Sequence, residues 1–179
     1  MCRGVVWDVA PAGSVMSGSI MDFEHFYRQE YAPVLQVTFA LTGDRQRAAD
    51  VTHDAFAVAL SRWATVASYD RPDLWVRRVA INRAISMRRR RLNEAVSGRR
   101  WQARQRLAAD DDPGSDADVW SLVRRLPARQ ASVVVLTYIG DMSAAQVAAV
   151  LGFSEAMAKT HLLRAKRTLA SWLGDDDED

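Results

Sequence analysis

The sequence predicts an all-α protein: two small helical domains joined by a flexible linker. Three observations carry this. Apolar residues recur at helical spacing over 22–41, 44–63, 75–91, 118–126, 144–151 and 154–172. A hydrophilic, acidic run, DDDPGSDAD at 110–118, breaks that pattern and separates two apolar blocks. The stretch whose composition favours a strand, VVVLTYI at 133–139, has no second strand nearby to pair with and therefore reads as helix. The expected division is a disordered N-terminal extension at 1–21, a first module at 22–91, a linker at 92–117, a second module at 118–173 and an acidic tail at 174–179.

Composition bounds the chemistry. With 179 residues, 49% of them hydrophobic, the chain can build a packed core. The net charge of +2 hides an asymmetry. Between Arg77 and Arg106 stand eleven arginines and a single acid, Glu94, and the linker and tail carry the balancing acids. Cys2 is the only cysteine, which excludes an internal disulfide and fits a reducing cytoplasm. His25, His53 and His161 lie far apart, and no Cys/His spacing marks a metal site. Phosphate-cradling glycine loops, nucleophile elbows and HExxH are missing, so neither catalysis nor a cofactor nor a small-molecule substrate is expected. No apolar run reaches the ~20 residues that cross a bilayer, and Asp8 and Pro11 interrupt the mildly apolar N-terminus, so the protein is expected to be cytoplasmic. Met16 and Met21 compete with Met1 as the start, and a peptide map separates them.

Asp22 caps a first helix that continues to about Leu41, with Phe23, Phe26, Tyr27 and Tyr31 opening its apolar side and Pro33 expected to kink or interrupt it. Thr42-Gly43-Asp44 is a stop followed by a new start. The second helix, about 44–63, buries Ala48, Val51, Ala55, Val58 and Ala59 and exposes Asp50, His53 and Asp54. Residues 64–73, with Pro72, read as a loop. The basic helix WVRRVAINRAISMRRRR at 75–91 follows. Trp75, Arg78, Asn82, Ser86 and Arg89 form one stripe, and Val76, Ala80, Ala84 and Met87 lie nearly opposite. Guanidinium groups, an amide and a large ring on one face suit a nucleic acid; a solvated basic face is the plainer alternative.

In the second block, Val119, Leu122, Val123 and Leu126 make a short helix with Arg124 and Arg125 outside, and Pro127 suits the first turn of the next. Ser143 and Gln146 are spaced as a capping box before AAQVAAVL, Gly152 supplies the stop, and Ser154 caps a final helix. That helix carries an apolar stripe of Ala158, Leu162, Ala165, Leu169 and Trp172, with Met157, Thr160, Arg164 and Arg167 opposite, flanked by Lys159 and His161. This is the layout of a helix-turn-helix, one helix bracing while the next enters a major groove. The small residues Ala144, Ala145, Ala148 and Ala149 permit the close crossing that the motif needs.

These segments together resemble the extracytoplasmic-function (ECF) subfamily of the sigma-70 family of bacterial RNA polymerase sigma factors, over about residues 22–173. Tyr31-Ala32-Pro33 and Leu41-Thr42-Gly43-Asp44 resemble the start of region 2. Residues 49–56, ADVTHDAF, resemble the acidic helix that docks on the polymerase clamp. Residues 75–91 resemble the W-L-x-x-I-A-x-N segment at the −10 element, and residues 126–165 resemble region 4, which reads the −35 element. His53 stands where the family favours glutamine, Ser86 where aspartate is common, and EAMAKT at 155–160 replaces a G-T-V-K-S pattern, which leaves the promoter sequence open.

The resemblance implies residue roles. Asp50, His53 and Asp54 would meet core polymerase. Tyr69, Arg71, Trp75, Arg77, Arg78, Asn82 and Arg83 would engage the −10 element: the arginines on phosphates, Asn82 on a base edge, and Tyr69 and Trp75 either stacking on bases or serving as core aromatics. Ser154, Met157, Lys159, Thr160, His161, Arg164 and Arg167 would face the −35 groove. Core polymerase, promoter DNA and an anti-sigma factor, often membrane-anchored in this group, are the implied partners. A stand-alone helix-turn-helix regulator is the main alternative, and an RNA-binding or scaffolding helical protein the second.

Overall fold

In the computed structural model, residues 22–96 and 117–174 are described. The expectations for the extension at 1–21, for most of the linker and for the acidic residues 175–179 lie outside them. The described residues form eight helices and no strand.

α1 (Phe23–Thr42) begins at Asp22, whose carboxylate accepts the Glu24 N–H at 3.3 Å, and runs on through Pro33. It stops at Gly43, whose φ of 68° is the left-handed conformation that favours glycine, with its N–H on the Phe39 carbonyl at 2.8 Å. Asp44 caps α2 (Arg45–Ser61) by accepting the Arg47 N–H at 2.9 Å.

The supposed loop at 64–73 is partly helical. α3 (Trp63–Val66) is one turn, and α4 (Pro72–Val96) starts earlier and ends later than the basic stripe suggests. The cause of α3 is burial: Trp63 packs edge-on against Phe23 at 5.2 Å and beside Phe26 at 5.0 Å, and Val66 is buried. Pro72 begins α4 because the first position of a helix has no intrahelical use for an N–H.

In the second block come α5 (Ala117–Arg125), α6 (Ala128–Tyr138), α7 (Ala144–Leu151) and α8 (Glu155–Gly174). The β-branched run is helix, buried from Ala131 to Leu136, so burial on nearly all sides overrides intrinsic propensity. Pro127 sits one place earlier than expected, at the N-cap of α6. The capping box is complete: the Ser143 hydroxyl accepts the Gln146 N–H at 3.3 Å, and the Gln146 side chain accepts the Ser143 N–H at 2.9 Å. Ser143→Ala is expected to cost ~0.5–2 kcal/mol, read as a lower urea midpoint at unchanged slope.

The core holds Phe26, Val37, Val51, Phe56, Val76, Ala80 and Ile81 from the first block and Val123, Leu126, Val135, Leu136, Val147 and Ala165 from the second. The buried hydroxyls of Thr38, Thr52 and Ser132 are matched. Thr38 and Thr52 share a 2.9 Å hydrogen bond between α1 and α2, and the Ser132 hydroxyl donates to the Ala128 carbonyl. The two blocks also touch, α1 against α5 and α6, and α4 against α7, and their apolar residues form one cluster. The sequence reading has no counterpart to this contact.

Candidate nucleic-acid interface

α4 presents the stripe read from the sequence. Val76, Ala80 and Ala84 are buried, while Asn82, Ser86 and Arg89 are exposed. Trp75 is half-buried, packed against the core, with the Tyr69 ring 6.4 Å away and tilted by 43°. The indole therefore both supports the helix and borders the segment before it.

The arginines of this region divide by partner. Arg77 donates to Glu30 at 2.8 Å, with both side chains mostly buried, so it ties α4 to α1 and is not available on the surface. This corrects its expected position among exposed phosphate ligands: the residue before Arg78 turns under the helix, toward an acid on α1. Arg71 grips Asp73 through two hydrogen bonds, 2.9 and 2.7 Å. Burial would raise the Asp73 pKa, but the Arg71 hydrogen bond and charge, with the Leu74 N–H and Arg77, outweigh it and hold the carboxyl below its usual value. Arg83 pairs with Asp54 at 2.6 Å, both substantially exposed, linking α4 to α2; such a pair contributes little to stability and is easily exchanged. Arg78 is partly buried beside Gly152. Arg88 is turned away from the stripe and donates to the Leu126 carbonyl at 2.6 Å.

α2 presents Asp50, His53 and Asp54 on one exposed face. Asp50 accepts from Gln46 at 3.0 Å. His53 stacks on Tyr31 at 5.3 Å and shares a 3.1 Å hydrogen bond with its hydroxyl. That partner was missed in the sequence because the two residues lie 22 positions apart on different helices.

α7, Gly152 and α8 form the helix-turn-helix. Gly152 takes φ 73° and donates to the Ala148 carbonyl at 2.9 Å. The Ser154 hydroxyl accepts the Met157 N–H at 3.3 Å, so Ser154 is occupied as a cap. Of the four alanines of α7, Ala148 is buried, and α7 packs against α8 and α4. Along α8, Ala158 and Ala165 are buried, and Met157, Lys159, Thr160, Arg164 and Arg167 are exposed. Lys159 pairs with Glu155 at 2.6 Å. The Thr160 hydroxyl donates back to the Ala156 carbonyl at 2.8 Å, which leaves its methyl group for apolar contact.

His161 does not share that surface. Its ring is half-buried against Phe153, 5.5 Å between centroids, and its Nδ1 is buried with no hydrogen-bond partner among the described residues. Burial first, then the charges of Arg129 and Arg164, lower its pKa. The turn residue Phe153 thus takes up part of the imidazole surface expected at the groove. Arg129, exposed near the start of α6, joins Arg164 in the cationic surroundings of this ring, a neighbour that spacing along the chain cannot show.

No group of three or more metal-ligating side chains exists among the described residues, and no helix among them is long and apolar enough to cross a membrane.

Comparison with known proteins identifies both halves. Residues 26–93 match sigma-70 region 2, and residues 116–169 match sigma-70 region 4. The chain is 30% identical to the RNA polymerase sigma-E factor of Streptomyces coelicolor over 162 residues, 90% of this chain and 92% of that protein. It is 31% identical over 146 residues to the RNA polymerase sigma factor CnrH of Cupriavidus metallidurans, covering 72% of this chain and 74% of CnrH. Among solved structures, CnrH in complex with the cytosolic domain of CnrY superposes with a TM-score of 0.59 at 25% identity, over 86% of this chain and 88% of that one. The sigma factor RpoE of Bartonella quintana, in complex with the anti-sigma factor NepR, shares the fold with a TM-score of 0.68 at 17% identity, over 86% and 97% of the two chains.

Proposed function

The chain belongs to the extracytoplasmic-function group of the sigma-70 family of RNA polymerase sigma factors, and from that premise we propose which of its surfaces meet polymerase and promoter. As a sigma factor it binds core RNA polymerase, recognises the −35 and −10 elements and promotes DNA melting. A stand-alone regulator does not need region 2. The observation that carries the reading is the presence of both regions in order, each with an exposed cationic helix face.

On α2, the exposed carboxylates of Asp50 and Asp54 attract basic groups of the polymerase, with His53 held beside them by Tyr31. On α4, Asn82 reads a base edge, Arg78 and Arg83 neutralise phosphates, and Trp75 with Tyr69 borders the melted strand. Arg77 and Arg71 act indirectly, by fixing α4 to α1 and by holding the start of α4. On α8, Lys159, Thr160, Arg164, Arg167 and Met157 face the −35 groove, while Ser154 and His161 shape the turn that delivers them. The chain itself is non-enzymatic, because bond formation belongs to the polymerase, and its place of work is the cytoplasm. An anti-sigma factor restrains it, as the complexes of CnrH with CnrY and of RpoE with NepR suggest by analogy.

A run-off assay tests this: purified chain added to core polymerase confers a defined start site, and the chain alone shifts promoter DNA weakly. Core polymerase left without start-site selectivity contradicts it. Within that assignment, Asp50→Arg is expected to weaken core binding by about tenfold or more, as charge reversal at a complementary interface does; fluorescence anisotropy of labelled chain titrated with core polymerase reads it. Unchanged affinity would remove Asp50 from the interface.

A further inference from the structure

We propose that His53, held in place by Tyr31, makes the polymerase-docking face of α2 proton-sensitive. With the ring neutral, the face is acidic and accepts a basic partner; with the ring protonated, the net charge of the face is cancelled and docking weakens. The inference rests on the sigma-factor reading given above and adds the residue that sets its pH dependence.

The ring is fixed from α1. Tyr31 stacks on it, with 5.3 Å between centroids and 28° between planes, and the Tyr31 hydroxyl lies 3.1 Å from Nε2. Tyr31 is itself backed by Tyr27 at 5.0 Å and by the buried Phe56 at 6.0 Å. The hydrogen bond survives protonation. In the neutral ring Nε2 accepts from the hydroxyl or donates to it, according to the tautomer; in the charged ring Nε2–H donates to the hydroxyl oxygen. The imidazole can thus change its charge without changing its place.

The surrounding groups set what that charge does. On α2, Asp50 stands one turn before His53 and Asp54 follows it, all three exposed. Asp50 accepts from the neutral Gln46 amide, while Asp54 pairs with Arg83, which reaches over from α4. On α1, Glu30 is turned away to Arg77, and burial, then the charge of Tyr31, raises the Tyr27 pKa, so the Tyr27 hydroxyl carries no charge. In the free chain the two carboxylates and Arg83 leave this face with one net negative charge. A proton on His53 cancels it.

The sign follows from the partner. Basic groups on the polymerase disfavour a protonated ring beside them, so docking favours the neutral form and releases the proton. Affinity therefore falls as pH drops through the range in which histidine titrates. Because the face lies in solvent, the effect is one of docking and not of folding: fold stability does not depend on the exposed ring in the way that it depends on Phe56 beneath it.

Fluorescence anisotropy of the full chain, carrying a pH-insensitive dye and titrated with core polymerase at about pH 7.5 and about pH 5.5, decides the matter. The polymerase and the other histidines titrate too, so the quantity read is the affinity of the unaltered chain relative to that of His53→Gln, whose side chain is neutral and hydrogen-bonding at both values. That ratio is expected to fall by about five- to tenfold on acidification; one proton in the ordinary histidine range gives at most about tenfold over this interval. His53→Lys, charged at both values, is expected to bind weakly at both, close to the unaltered chain at the lower pH. A ratio that stays constant with pH overturns proton sensitivity, as does His53→Lys binding as tightly as His53→Gln. The sigma-factor reading fails differently: no binding by any of the three chains at either pH sinks that reading and the role of His53 with it, whereas binding with parallel pH profiles sinks the role of His53 alone.

Discussion

Phe56→Ala is expected to lower the unfolding free energy by ~3–5 kcal/mol, about a fifth or more of what a typical domain possesses. Phe56 is 2% exposed and central to an aromatic cluster built from α1 and α2. Its ring meets Tyr27 edge-on at 4.9 Å and lies 6.0 Å from both Phe26 and Tyr31. Phe26 in turn packs on Trp63, and Tyr31 holds His53. Truncation would leave a cavity among rigid rings that cannot collapse into it, which is why the larger end of the range applies. Phe56→Leu should recover much of the loss. Urea denaturation of the three proteins reads the effect, and a loss below about 1 kcal/mol would mean that the cluster is looser than its geometry. Binding to core polymerase should weaken as well, because the same helix presents Asp50, His53 and Asp54 on its other side.

Asn82→Ala combined with Trp75→Ala is expected to suppress promoter melting while binding to core polymerase persists. A bidentate amide contact and a stacked base are each worth ~1–3 kcal/mol, so open-complex formation should fall by at least about thirtyfold. The two positions carry different structural loads. Asn82 is exposed, so its single variant should keep stability within about 0.5 kcal/mol and isolates the promoter effect. Trp75 also packs against the core, so Trp75→Phe, which keeps a ring, serves as its control. Permanganate reactivity of unpaired thymines in the −10 strand is the measurement. Normal reactivity in the double variant would reject the assignment of α4 to the melted strand.

The fold was legible because local rules and burial agree along most of the chain. Asp22, Gly43, Asp44, Ser143, Gly152 and Ser154 stand at helix ends and act there as caps and stops. The short helix at Trp63 was not legible, since a single turn has no periodicity to read; two aromatic residues of α1 create it. Side-chain partners across helices were equally hidden. Arg77 looked like one more cation in a basic run until Glu30, 47 residues earlier, appeared beneath it. The neighbours of His161 were hidden too: only the fold sets Phe153 against its ring and brings the charges of Arg129 and Arg164 near it.

Helix positions, their caps and the two-block all-α plan follow from the sequence alone, because each depends on residues within a few places of one another and on the periodic separation of apolar from polar. Tertiary structure alone decides which guanidinium groups stay in solvent and which are spent on Glu30, Asp54, Asp73 or the Leu126 carbonyl, and it alone brings Arg78 against Gly152. The reason is physical: helix formation is governed by short-range backbone hydrogen bonding and local burial, whereas the environment of a charge is set by whatever the folded chain places within a few ångströms of it, however distant in sequence.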